Sequence, residues 1–234
     1  MDPRSLPIFP VPIGLYNFGE DNHELNISLV KDILNENKRD PKGQVRSNMG
    51  GWHSKSRLEN EYKTTRELCG IIETWANHYC EQHGYVGGLG CDQIWANINE
   101  TGDTNLPHAH GTAALTGVYY PVESVSDDDH CYFNYDPRAI IKPGTWDGEH
   151  GGSLVFYDPS YGKKNNLVKD TNNPSPYTFD SYYTYPVSGL LILFPSYIIH
   201  TVTPFKENKR RVSISFVCTY GKTRKDSSVQ SYSQ

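Results

Sequence analysis

Apolar positions recur at two different periods along this chain, and the change falls near residue 90. From Asn22 to about Lys38, the residues Leu25, Leu29, Val30, Ile33 and Leu34 return at helical spacing. They predict an amphipathic helix capped by Asn22. Between about Arg57 and His83, Leu68, Ile71, Ile72, Trp75 and Tyr79 predict a second, longer helix. Gly84 and the glycines from Gly87 to Gly90 should stop it. Ahead of both helices, Pro7, Pro10 and Pro12 alternate with apolar residues and predict an extended segment packed onto the body. The run RSNMGGWHS, Arg46 to Ser54, reads as a glycine-rich loop in which Trp52 anchors the chain. Trp52 and His53 are also candidates to gate a cleft.

From Gln93 onward the period becomes two. QIWANINE, ALTGVYYPV, GSLVFYD, GLLILFP and RVSISFV read as short strands separated by loops rich in Asp, Asn, Pro and Gly. Helices followed by many strands predict a mainly β protein with α, a barrel or sandwich carrying its helices on one face. Two long insertions, Ser124 to Gly152 and Ser160 to Pro186, read as binding loops or a lid. One domain spanning 1–234 is the economical division: 1–90 as extended and helical support, 91–220 as the β core, 221–234 as a polar tail.

Composition narrows the function classes. The net charge of −5 argues against a nucleic-acid surface, which wants clustered Lys and Arg. No apolar run reaches the ~20 residues that cross a bilayer, and the first residues lack a secretory h-region. Cys69, Cys80, Cys91, Cys131 and Cys218 contain no CxxC pair and read as reduced thiols, which places the chain in the cytoplasm. The 17 tyrosines suit a β-rich protein with a wet, polar-lined cleft.

The candidate chemistry centres on His108 and His110. One residue apart on an extended segment, their imidazoles fall on the same face. His200 ends the apolar run GLLILFPSYIIH, and Arg211 opens the next strand. Imidazole suits divalent iron, zinc, copper and nickel, and three ligands on one face leave the other open for substrate and dioxygen. A structural zinc would want a fourth protein ligand. Arg211 and Ser213 share a strand face, and an arginine entering a barrel is costly unless an anion meets it. A guanidinium fork beside a hydroxyl suits two-point contact with a dicarboxylate. Asn97 and Asn99 face one way on a strand before the histidine pair, and Tyr120 shares its inward phase with Thr116 and Val118. His130 and His150, in the first insertion, read as solvated.

These residues resemble the 2-oxoglutarate- and Fe(II)-dependent oxygenases, which have a double-stranded β-helix (jelly-roll, cupin-like) core. There an HxD or HxE pair and a distal histidine hold iron, and an arginine about ten residues later binds the far carboxylate of 2-oxoglutarate. His108, His200 and Arg211-Val212-Ser213 match, and Gly151 to Phe156 resembles the GG-x-L-x-F strand of the prolyl-hydroxylase-like branch. The strings RSN-x-GGWHS, WANIN-x-x-G, LTGVYY, LVFYDP and LFPSYIIHTVTP extend the resemblance to a subgroup of the superfamily and over most of the chain. The resemblance implies Fe(II), 2-oxoglutarate and dioxygen as cofactors, with succinate and carbon dioxide formed as a substrate is hydroxylated. It implies Arg211, Ser213, Asn97 and Tyr120 around the co-substrate. The substrate itself, a protein side chain or a small metabolite, stays open. Position 110 departs from the pattern, being His where the superfamily carries a carboxylate. Either His110 is the third ligand, or Asp158 (less well, Asp103) reaches the metal, or the site is degenerate. Two other classes remain: a three-His cupin-type metalloenzyme without 2-oxoglutarate, and a non-enzymatic jelly-roll binding module.

Overall fold

The computed structural model describes residues 10–136, 142–143, 148, 151–159 and 179–221. Both predicted helices form. Helix α1 (His23–Arg39) buries Leu29, Val30, Ile33 and Leu34. It stops where Pro41 forces Asp40 out of the helical region, at φ −129 and ψ 71. Asn22 precedes α1 but makes no side-chain cap bond; its amide instead reaches the Tyr119 hydroxyl at 3.4 Å. Helix α2 (Lys63–Gln82) buries Leu68, Cys69, Ile72, Ala76 and Tyr79, and Gly84 ends the turn beyond it at φ +75. The second helix starts later than its apolar spacing suggested, because Leu58–Asn60 form a separate 3-10 turn.

Fourteen strands are described: β1 (Gly14–Asn17), β2 (Asn48–Met49), β3 (Trp52–His53), β4 (Leu89–Asn99), β5 (Thr104–His108), β6 (Leu115–Tyr120), β7 (Ser124–Val125), β8 (Cys131–Tyr132), β9 (Lys142–Pro143), β10 (Leu154–Tyr157), β11 (Ser181–Thr184), β12 (Leu190–Pro195), β13 (His200–Val202) and β14 (Arg211–Tyr220). They form two six-stranded sheets, β1-β12-β6-β14-β4-β3 and β2-β5-β13-β10-β11-β9, plus the β7-β8 ribbon. All five predicted strands are present. The extended proline segment supplies β1, which pairs with β12. The glycine-rich Arg46–Ser54 segment is more than a loop, since it contributes β2 to one sheet and β3 to the other. Strand β4 begins at Leu89 rather than Gln93, because Leu89 and Gly90 pair with Tyr220 and Thr219 across the sheet.

Side-chain alternation divides the core in two. Leu191, Leu193, Val212, Ile214, Phe216, Ala96, Ile98 and Tyr119 pack with the helices. Leu190, Ile192, Phe194, Val118 and Tyr120 instead meet Leu154, Phe156 and Val202. The first sheet is thus apolar toward the helices and, on its other face, walls a cleft against the second sheet. Trp52 belongs to the helix-side core and its indole N–H donates to Asp40 O at 2.8 Å, so it anchors.

Gly117 lies where β6 crosses between β12 and β14. A Cβ there would stand 2.1 Å from Ile192 O and 2.5 Å from the Phe216 ring. The carbonyl belongs to the ladder and cannot retreat, so Gly117→Ala is expected to destabilise the fold by about 1–3 kcal/mol or more. Urea unfolding checks this, and an unchanged midpoint would contradict it.

The five cysteines carry no disulfide, and among the described residues no helix is long and apolar enough to cross a membrane. Of the two insertions, Ser124 to Gly152 is described only in part. Most of Ser160 to Pro186, the supposed lid, lies outside the described residues, as do His150 and the tail from 222.

Candidate active site

Inside the cleft the two longest strands face each other with polar residues in register. Arg211 lies opposite Asn99, Ser213 opposite Asn97 and Ser215 opposite Trp95. Their neighbours of the other phase, Val212, Ile214, Ala96 and Ile98, go to the helix side. These strands, with β5, β6, β10 and β13, enclose a cavity of about 530 Å³.

Three imidazoles meet at one end of it. His108 closes β5 and pairs with His200, the first residue of β13. His110 lies beyond the strand, where its N–H donates to Ser196 O at 2.9 Å. The extended segment therefore ends sooner than the His-x-His spacing suggested, and a turn rather than strand alternation brings the second ring in. Ring centroids are 4.4 Å apart for His108 and His200, 5.1 Å for His108 and His110, and 5.3 Å for His110 and His200. One nitrogen from each lies within 4.8 Å of the others.

Hydrogen bonds fix two of the tautomers. His108 Nδ1 lies 2.7 Å from Leu106 O and His200 Nδ1 2.9 Å from Ile198 O. A carbonyl can only accept, so both Nδ1 atoms carry the proton and both Nε2 atoms present a lone pair, that of His108 with the Ser47 hydroxyl 3.4 Å away. Burial pushes His110 down to about 4 and His200 to about 3, with repulsion from His108 adding to each; burial also lowers His108. All three are neutral at pH 7, the form that ligates a metal.

The folded protein keeps these rings neutral while the unfolded chain takes up protons below about pH 6.5, so the unfolded state binds more protons there. Metal-free protein should therefore lose stability as pH falls from about 6.5 toward the depressed folded values. A urea midpoint that holds steady from about pH 7 to about pH 4 would contradict this.

Arg211 is 1% exposed at the other end of the polar strip. Its Nε donates to Gly152 O at 2.9 Å. Nη1 donates to Asn99 Oδ1 and Ser213 Oγ, both at 3.0 Å, and Nη2 to the Tyr120 hydroxyl at 3.1 Å. Every one of these partners is neutral, and among the described residues no carboxylate pairs with it. Of five guanidinium N–H groups, one on Nη2 has no partner among the described residues. Gly152 makes the approach possible, since at φ +72 a Cβ would stand 2.8 Å from Arg211 Cδ. Burial raises the Tyr120 hydroxyl against the pull of Arg211, so it stays a phenol.

The other singled-out residues sort as follows. Tyr119 points away and donates to Asn26 Oδ1 at 2.7 Å, leaving Tyr120 as the inward tyrosine. Asn97 lines the cavity but donates to Ser215 Oγ at 3.1 Å, and it is Asn99 that meets Arg211. Asp158 and Asp103 are not in the three-imidazole group; Asp103 Oδ2 accepts from Glu100 N at 2.7 Å. His130 is exposed. His53, read as a possible gate, is 5% exposed, lines the cavity and stacks on Trp95. Trp95 and Ser47, whose Oγ lies 3.4 Å from His108 Nε2, line the cavity as well, and the sequence reading named neither as a site residue. The signal for Trp95 was its shared phase with Asn97 and Asn99.

A family model described as "Putative 2OG-Fe(II) oxygenase" matches residues 93–217, more than half of the chain. The chain belongs to this family. It is a 2-oxoglutarate/Fe(II)-dependent dioxygenase, with Fe(II), 2-oxoglutarate and dioxygen as its cofactors. No curated protein matches it. Among solved structures, a prolyl-4-hydroxylase from Pseudomonas putida aligns with a TM-score of 0.58 at 11% identity, covering 90% of this chain and 93% of that one. The alpha-ketoglutarate-dependent epimerase SnoN from nogalamycin biosynthesis gives 0.57 at 13%, covering 90% and 77%. A viral collagen prolyl hydroxylase from Paramecium Bursaria Chlorella virus-1 gives 0.51 at 10%, covering 88% and 96%. At these identities the likeness establishes the fold, a double-stranded β-helix with helices on one side.

Proposed function

We propose that this oxygenase hydroxylates its substrate at a metal held by His108, His110 and His200, with Arg211 clamping the far carboxylate of 2-oxoglutarate. The observation that carries the reading is the buried Arg211 guanidinium. It shares a cavity with three converging imidazoles and has only neutral partners among the described residues. Such a cation is costly until an anion meets it, and a dicarboxylate long enough to reach from guanidinium to metal satisfies both ends.

The donor set fits iron. Imidazole nitrogen is a ligand for divalent iron, and three ligands leave positions open for co-substrate and dioxygen. Two histidines and a carboxylate would leave a divalent centre at +1, whereas three neutral imidazoles leave it at +2. A dianionic co-substrate is favoured by that extra charge. Bound Fe(II) supplies the dioxygen-activating redox chemistry. The overall reaction consumes 2-oxoglutarate, dioxygen and a substrate C–H, and yields succinate, carbon dioxide and a C–OH.

The protein's own part is positional. Leu106 O and Ile198 O hold His108 and His200 in the tautomer that aims Nε2 at the ion. Asn99, Ser213 and Tyr120 orient the guanidinium fork. Val118, Leu154, Phe194 and Val202 give the cavity apolar walls that exclude water from the reacting end. The prolyl-hydroxylase neighbours make a peptidyl proline one candidate substrate, by analogy of fold alone, and a small metabolite is the other.

Anaerobic addition of 2-oxoglutarate to Fe(II)-loaded protein should produce the visible metal-to-ligand charge-transfer band of a chelated 2-oxo acid. A colourless mixture with stoichiometric iron would defeat the proposal.

A further inference from the structure

Of the three imidazoles, His110 alone has no ring hydrogen bond to any described residue. The rings of His108 and His200 are each locked through Nδ1 to a carbonyl two residues back. The backbone of His110 is pinned by Ser196 O and by the turn in which Ala113 N donates to His110 O at 3.1 Å. Those bonds leave its side-chain torsions free. Its ring is instead met by the indole of Trp95, with centroids 5.7 Å apart and planes at 51°. Trp95 in turn carries His53, stacked at 5.7 Å with an interplanar angle of 9°. His53 is itself fixed, its Nδ1 donating to Ser54 O at 2.6 Å, while Ser54 N donates to Ala96 O at 3.0 Å and Ala96 N to Ser54 Oγ at 3.0 Å. Trp52 and His53 pair with Ile98 and Asn97, so the whole column stands on the β3–β4 pairing.

We infer that Trp95, backed by His53, is the positioning element for His110, orienting by aromatic packing a ring that no hydrogen bond orients. This rests on His110 being a metal ligand, as proposed above. The physical logic is that of any partner that aims a ligand: a ring free to rotate pays its rotamer entropy on binding, and one already held does not. Offset and tilted aromatic contacts prefer particular orientations, so the column selects an angle as well as filling space. It also gives a role to the GGWHS segment, which delivers His53 to the site although it lies far from the other residues in sequence.

The test uses Co(II) as a spectroscopic probe in the full-length protein, with the unfolding midpoint in EDTA as a folding control. Trp95→Leu should weaken Co(II) binding by about 10- to 100-fold, the range for partners that orient a ligand, and change the visible ligand-field spectrum. Trp95→Phe and His53→Phe, which keep a ring in place, should restore both toward wild type, and His53→Leu should repeat the loss in weaker form. His110→Ala should lose at least as much affinity as Trp95→Leu. If Trp95→Leu and His53→Leu both leave affinity and spectrum unchanged while His110→Ala does not, the positioning role is wrong and the ligand set survives. If His110→Ala also binds Co(II) unchanged, the ligand assignment itself fails and takes this inference with it.

Discussion

Arg211→Ala is expected to abolish 2-oxoglutarate turnover at ordinary co-substrate concentrations and to leave the metal in place. Among the described residues the guanidinium is the one buried cation lining the cavity, and its four hydrogen bonds set the fork at a fixed angle on β14. Truncating one partner of a buried, hydrogen-bonded charge pair costs about 2–5 kcal/mol, about 30- to 5,000-fold in apparent affinity for 2-oxoglutarate. Two of the acceptors left behind, Ser213 Oγ and the Tyr120 hydroxyl, belong to residues that line the cavity, so the space vacated by the side chain joins it. The fold should therefore survive the loss. Arg211→Lys keeps a positive charge without the fork, so it should fall between wild type and alanine. Succinate formation and iron content, measured on the same preparations, read the two effects apart. Wild-type succinate production by Arg211→Ala would remove the clamp from the mechanism.

Loss of the distal histidine has the other large effect. His200→Ala removes the most buried of the three rings, the one held between Ile198 O and the Phe194 ring at 4.9 Å. Two imidazoles from one short segment cannot complete a triangular face, and Fe(II) affinity should fall by more than the about 10- to 100-fold seen when only an orienting partner is lost. The metal-free variant should also be less sensitive to acid than wild type, because a ring that resists protonation in the fold has gone. His110→Asp makes the contrast, since it exchanges imidazole for a carboxylate ligand and should keep iron. Stoichiometric iron in His200→Ala would sink the proposed ligand set.

Much of this was written in the order of residues. Two apolar periods announced the helices and the strands, because alternation and helical spacing are local properties that survive any packing. The phase of β14 put Arg211 and Ser213 on one face before any partner was known. The same rule chose Tyr120 over Tyr119. Other features were hidden for reasons equally physical. The Arg46–Ser54 segment looks like a loop because its glycines mask two strands of two residues each, whose pairing partners lie some fifty residues away. His110 obeys a turn made by Ser196 and Ala113, which strand alternation does not describe.

Residue order alone supplies the kinds of group available: three imidazoles, a guanidinium in strand phase with a hydroxyl, and a histidine at position 110 where a carboxylate would be usual. It took the folded arrangement to show that Asn99 rather than Asn97 meets Arg211, that neither Asp103 nor Asp158 joins the imidazoles, and that His53 reaches the site through Trp95. The reason is that strand phase fixes a side chain's face but not its neighbours. Neighbours come from the register between strands distant in sequence, and no local pattern encodes that.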